Sequence, residues 1–247
     1  MKLKVLGSSS AGNGYILDNG KEALIIEAGT PMSAVKKAVN YDIKRIVGCL
    51  ISHEHGDHAK NAKLYKYHGI TIYASRGTLG ALGINPNDGY VKVSYFSSSF
   101  KAGNFIISPF QIHHDSAEPY GYVIYHEETG NILFVTDTCF LEYKFTGLNN
   151  IMIECNYRKD ILDENYKSGL IPKKQRDRTI ESHMDYDTCL RVLKDNDLSR
   201  VYNIVLIHLS DKNSNAVEFQ RGIYEATGKN VFIAEKGMVI EFGRSPF

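Results

Sequence analysis

An apolar run, Ile46-Val47-Gly48-Cys49-Leu50-Ile51-Ser52, leads directly into His53-Glu54-His55-Gly56-Asp57-His58. This junction restricts the fold more than any other part of the chain. The run reads as a buried strand, and the six residues after it place His53, His55, Asp57 and His58 in one short loop. Packing has no use for such a density of polar side chains at a strand end. Metal binding does, because imidazole is the commonest neutral protein ligand and a carboxylate lowers the charge of the site. The loop is too tight for its three histidines to converge easily on one ion, so two metals are the natural reading. The bland alternative is a His-rich surface turn.

Three further apolar runs end on a ligand-type residue. Phe105–Ile112 ends at His113-His114-Asp115, Ile132–Val135 ends at Asp137, and Ile204–Ile207 ends at His208. In α/β architectures, loops beyond the carboxyl ends of strands converge on one crevice. Four such endings can therefore build one site from distant segments. His113 and His114 point to opposite faces if the strand continues through them, and alternation does not say which face meets the site. His68 and His126 fall outside the pattern and read as surface or ordinary structural residues.

Composition narrows the class. The chain has 247 residues with a 43% apolar share, enough for one sizeable core. The whole length, 1–247, reads as a single domain without linker or repeat. With 29 basic and 28 acidic residues the net charge is +1, which argues against general electrostatic capture of nucleic acid or membrane. No apolar stretch approaches the roughly 18 residues of a membrane span, and Gly7-Ser8-Ser9-Ser10 interrupts the apolar start before it reaches signal-peptide length. A cytoplasmic location is expected. Cys49, Cys139, Cys155 and Cys189 form no CxxC pair and read as thiols; Cys49 and Cys155 lie in strand patterns, and Cys139 stands two residues after Asp137.

Strands are expected at 3–6, 15–17, 23–27, 46–52, 71–74, 90–96, 105–110 and 120–125. More are expected at 132–135, 151–154, 204–209, 231–234 and 238–242. Helices are expected at 33–39, 59–67, 77–82, 186–196 and 216–227. Ser182 or Asp185 would cap the fourth helix; Asn215 and Gly228 would bound the last. Residues 158–182 read as the least regular stretch. Their basic residues, Arg158, Lys159, Lys167, Lys173, Lys174, Arg176 and Arg178, suit a solvated loop slightly better than a phosphate contact. The Ser8–Gly14 segment reads equally well as a flexible connection or as an anion-binding loop.

The order HxHxDH, strand-end His, Asp within Thr136-Asp137-Thr138 and late strand-end His resembles the metallo-β-lactamase fold superfamily from Leu3 to Phe242. Several segments are similar to the YycJ/WalJ/VicX-like nuclease group. They are Leu6–Asn13, His114–Gly121, Glu154-Cys155-Asn156, Ser182-His183-Met184 and His208-Leu209-Ser210. The resemblance implies an α/β fold, a four-layer αββα sandwich with a dinuclear metal site at the edge of its two sheets. It implies that His53, His55 and His114 hold one ion, that Asp57, His58 and His208 hold a second, and that Asp137 bridges them. His114 is preferred to His113 because the family segment reads His-Asp. Two divalent ions are implied, with zinc the default and manganese the alternative. Asp57, Glu154 and His183 would be catalytic, the last two supporting the departure of the leaving group.

The implied reaction is phosphodiester hydrolysis of DNA or RNA by a metal-bound hydroxide, with nucleic acid as substrate. The same ligand set also serves hydrolysis of a small thioester, lactone or β-lactam, and the same fold serves non-catalytic regulators. Two departures stand out. The superfamily's first motif usually has Asp before Ala-Gly, where this chain has Glu27-Ala28-Gly29. Its Gly-His-Leu-Ser-Asn motif is here Ser182-His183-Met184-Asp185-Tyr186.

Overall fold

The computed structural model describes residues 1–96 and 98–244. The first half of the chain supplies strands β1 (Lys2–Gly7), β2 (Gly14–Asp18), β3 (Ala23–Ile26), β4 (Ile46–Leu50), β5 (Ile72–Ala74) and β6 (Val91–Val93). Residues 100–233 supply β7 (Phe100–Ala102), β8 (Phe105–Gln111), β9 (Tyr120–His126), β10 (Gly130–Val135), β11 (Leu148–Glu154), β12 (Asn203–Ile207) and β13 (Asn230–Ile233). The last strand, β14 (Val239–Glu241), crosses back to pair with β1. Two seven-stranded sheets result, ordered β14-β1-β2-β3-β4-β5-β6 and β13-β12-β11-β10-β9-β8-β7. In each sheet an antiparallel part (β14 to β3, β7 to β10) joins a parallel part (β3 to β6, β10 to β13).

Side-chain alternation explains the layering. On β3, Leu24 and Ile26 enter the core between the sheets, while Ala23 and Ile25 face the helices α1 (Met32–Ala38), α2 (Gly56–Ala59), α3 (Ala62–Tyr67) and α4 (Arg76–Ala81). On β12, Val205 and Ile207 enter the shared core; Ile204 and Leu206 pack towards the outer layer of the second sheet. The helices of that half are α5 (Lys159–Lys167), α6 (Lys173–Ser182), α7 (Tyr186–Asp195) and α8 (Ala216–Thr227). The expected αββα sandwich is therefore present, and its parallel strands read as apolar runs because both faces are covered. Among the described residues, no helix is long and apolar enough to cross a membrane.

Three expectations need correction. Residues 158–182 are not an irregular loop but contain α5 and α6. These helices bury little, around a satellite cluster of Tyr157, Leu162 and Ile171, so charges mask their apolar stripe. The strand expected at 90–96 shrinks to β6, because Tyr95 and Phe96 are half exposed. The helix expected at 59–67 is divided between α2 and α3, since the chain turns at Lys60-Asn61 to wrap the His53–His58 loop. Strand β7, three residues long, carried too little pattern to be read. Asp185 is the α7 cap, accepting the Asp187 and Thr188 amides, and Asn215 and left-handed Gly228 bound α8 as expected.

Far from the strand-end loops, Asp18 accepts from Lys4 Nζ at 2.7 Å and from both terminal nitrogens of Arg45. Burial raises its carboxyl, but Arg45 and Lys4 outweigh that and bring it from 3.8 down to about 2. A carboxyl depressed on folding stabilises above its unfolded value and loses that stabilisation as pH falls through the folded one. Asp18→Asn is expected to cost about 2 kcal/mol at neutral pH, since it leaves two cations short of a partner. In urea unfolding the gap between wild type and variant should close between about pH 4 and pH 2. A gap that is constant over that range would show that the ion pairs contribute nothing.

Candidate metal centre

Every expected metal ligand, and Glu154 with them, arrives from the carboxyl end of a strand or the loop just beyond it, whereas His183 follows helix α6. His53, His55, Asp57 and His58 follow β4, His114 follows β8, Asp137 follows β10, Glu154 closes β11 and His208 follows β12. Glu27, Asp137 and His208 adopt left-handed backbone, with φ of 67°, 50° and 56°. Non-glycine residues seldom hold that conformation unless their surroundings impose it, and such strain gathers at functional sites.

Two groups of ligand atoms carry the expected ligand set: His53, His55, His114 and Asp137 make one, and Asp57, His58 and His208 the other; a third group, Asp137, Glu154, His183 and His208, overlaps both. Within the first, His114 Nε2 lies 3.0 Å from His55 Nδ1. Within the second, Asp57 Oδ2 lies 3.2 Å from His58 Nε2 and 3.1 Å from His208 Nε2. Asp137 faces both groups. Its Oδ2 stands 3.6 Å from His53 Nε2, 3.6 Å from His114 Nε2 and 3.3 Å from His58 Nε2. His113 turns away, pairing with Glu142 at 3.3 Å and stacking on Phe140. His126 is a structural partner of Glu22, and Cys139 stands outside both groups.

The outer nitrogens show how the rings are aimed. His114 Nδ1 donates to the Ser182 carbonyl at 3.1 Å, which leaves the Nε2 lone pair pointing inward. His53 Nδ1 is held by Ser52 Oγ at 2.9 Å, and its Nε2 is buried without a hydrogen-bond partner. An unpartnered, buried imidazole nitrogen beside a carboxylate and three other imidazoles fits a divalent cation, because burial otherwise penalises every one of these groups. The cluster is thus capable of holding metal.

Its electrostatics point the same way. Burial lowers His53, with His58 adding to the effect. Burial would raise Asp137, but His208 and His58 beside it hold it well below the carboxylate range. His208 is lowered by burial yet raised further by Asp137, Asp57 and Glu154, to about 10. Carboxylates and imidazoles here depend on one another for charge balance.

Glu154 organises the next layer. Oε1 accepts from His183 Nδ1 at 2.7 Å and from His208 Nδ1 at 3.1 Å; Oε2 accepts the Thr138 and Met184 amides at 3.1 Å each. With both oxygens meeting N–H donors, this carboxylate orients the His183 and His208 rings. Glu27, the unusual residue of the first motif, is fully buried. It takes the Ser52 amide on Oε1 at 3.2 Å and faces His58 Nδ1 with Oε2 at 3.5 Å. The longer side chain therefore does reach the metal loop. In the second departure, Met184 is a buried core residue and Asp185 caps α7, so His183 still leaves the end of α6 pointing at Glu154.

Sequence reasoning missed several contributors. Asn13 is buried, with Nδ2 3.0 Å from His58 Nε2 and 3.3 Å from Asp57 Oδ2. Ser8 Oγ accepts the His208 amide at 2.9 Å. Asn156 Nδ2 donates to the His208 carbonyl at 2.7 Å. The Ser8–Gly14 segment is thus a buttress of the ligand loops, a role that neither of its two sequence readings included. Its abundance of small residues was visible; the reach of Asn13 across 44 positions was not.

These ligand groups, on this pair of sheets, define a metal-binding hydrolase of the metallo-β-lactamase fold. The chain belongs to the β-lactamase superfamily, whose domain pattern matches residues 24–209. It is 25% identical over 229 residues to the exodeoxyribonuclease YycJ of Bacillus anthracis, covering 87% of this chain and 84% of that one. It is also 25% identical over 228 residues to the exodeoxyribonuclease WalJ of Streptococcus pneumoniae, covering 86% and 83%. Among solved structures it is similar to the metallo-β-lactamase fold protein YhfI of Bacillus subtilis, with a TM-score of 0.74 at 17% identity over 97% of this chain and 99% of that one.

If His58 is a ligand, as the grouping allows, Glu27→Gln should weaken divalent-ion binding by about 10–100-fold, the usual effect of removing an outer partner of a ligating histidine. Competition with a chromophoric chelator measures it. Unchanged affinity would show that Glu27 does not steer His58.

Proposed function

We propose that this protein is a dinuclear metal-dependent phosphodiesterase that hydrolyses nucleic acid, with DNA the favoured substrate. In this reading His53, His55 and His114 hold one ion, Asp57, His58 and His208 the second, and Asp137 lies between them. Zinc suits so His-rich a set, with manganese the alternative. Two bound ions supply an activated water near neutral pH and offset the charge of the attacked phosphate.

The observation that carries the proposal is the 2.7 Å bond between Glu154 and His183, set beside the ligand groups and lining the same cleft. With Nδ1 committed to Glu154, His183 keeps Nε2 for the proton that a departing alkoxide needs. Glu154 fixes the ring and, through His208, ties it to the ligand cluster. Asp57, besides its ligand role, faces the cleft where the attacking water must stand. That cleft, about 570 Å³ and lined mainly by polar side chains, suits a charged substrate better than an apolar acyl group. The exodeoxyribonuclease names of the two relatives support DNA. Free cysteines suit action in the cytoplasm.

His183→Ala is expected to lower cleavage of labelled DNA by about 10²–10⁴-fold at equal metal content. Unchanged turnover would remove His183 from the reaction. A panel of DNA, RNA, a generic phosphodiester and a thioester tests the substrate class. Thioester turnover without phosphodiester cleavage would overturn the proposal.

A further inference from the structure

The cleft has two walls that the ligand cluster does not explain. One is α6, which presents Gln175, Arg178 and Thr179 to the cleft. Their i, i+3, i+4 spacing places them on one helical face. The other is the loop after His208, from Leu209 to Asn213, which includes Ser210 and Lys212. Between the walls lie His55, Asp57, Asp137, His183 and His208.

Most of the basic residues of 158–178 are spent elsewhere. Arg158 is paired with Asp160 and Glu218, Lys173 with Asp177, and Arg176 with Asp163 and Asp177. Lys159 lies 3.4 Å from Asp185. Arg178 differs from these in lining the cleft, and Lys212 lines it too, from the loop after His208. Arg178 has one acidic contact, Nε to Asp115 Oδ2 at 3.3 Å, between side chains that are both about half exposed. Exposed pairs of this kind are weak. The contact also uses only Nε, so the guanidinium fork remains able to take two phosphate oxygens. Asp211 is the one cleft-lining acid outside the ligand groups.

We infer that Arg178 and Lys212 form a phosphate-binding subsite for the backbone of a single polynucleotide strand, away from the scissile bond. Arg178 exchanges Asp115 for a phosphate when the strand enters. Asp115, whose Oδ1 lies 3.3 Å from His114 Nε2, holds the arginine at the mouth of the cleft until then. Gln175, Thr179 and Ser210 supply neutral hydrogen bonds along the same path. This inference rests on the nuclease reading of the site and adds to it the residues that grip the substrate away from the reacting phosphate.

The test measures binding apart from catalysis. A fluorescent, hydrolysis-resistant phosphorothioate DNA strand is titrated onto the metal-loaded protein over a range of salt concentrations. Neutralising one phosphate contact lowers the slope of log affinity against log salt by about 0.7 for a single strand. Arg178→Gln and Lys212→Gln should each lower the slope by about that amount, and the double variant by about twice as much. Arg178→Lys, which keeps the charge, should keep the slope. Both side chains are exposed, so the variants should fold, and equal metal content checks this. Wild-type slopes in both glutamine variants would overturn the subsite. If those variants still cleave DNA, the nuclease reading survives that failure; if the wild type binds the strand with the expected slopes and cleaves no phosphodiester, the reverse holds.

Discussion

The structure depends on the need to bury one carboxylate, Asp137, among imidazoles. It is almost wholly inaccessible and stands within 3.6 Å of nitrogens from His53, His58, His114 and His208. A buried charge is tolerated only when opposing or coordinating groups surround it. Those groups come from both sheets, so the sheets must meet at this edge in one register. Left-handed backbone at Glu27, Asp137 and His208 accompanies this demand, as strain gathers at functional sites.

Around that centre the protein has built a layer of aiming contacts. Ser52, the Ser182 carbonyl and Glu154 each hold the outer nitrogen of one or two rings, and Glu27 faces that of His58 at 3.5 Å. Asn13, Asn156 and Ser8 fasten the loops that carry them. Such contacts cost little where the surrounding sheets are already rigid, and they restrict each ring to one orientation. Glu154 has a second duty, since the same oxygen that meets His208 meets His183. One carboxylate thereby couples the ligand cluster to the residue that faces the substrate cleft.

The large elements were legible because burial imposes period. β4, β8, β10 and β12 are apolar runs that stop at polar residues, and α8 has a cap at each end. The candidate ligand residues stood out for a related reason: four clustered polar side chains after a buried strand have no role in packing. Helices α5 and α6 were not legible, because they pack on a small satellite cluster and carry charge on most faces. His113 and His114 could not be separated by alternation alone. The structure separates them by burial, with His114 against the Ser182 carbonyl and His113 exposed beside Glu142.

The amino-acid sequence by itself determined which side chains can bind metal and that strand ends carry them, since residue type and hydropathy period are local properties. That both sheets would be covered was implied by the family resemblance, and the apolar parallel strands agree with it. Tertiary structure alone decided how these residues are partnered. Asn13 reaches Asp57, Ser8 holds His208 across 200 positions, and Arg178 meets Asp115 across 63. Contacts at such separations depend on how two sheets are stacked and on which way a helix faces, and no local pattern encodes either. The loop at His53–His58 was thus readable as a candidate metal loop from the start, whereas its buttresses and the walls of its cleft exist only once the chain has folded.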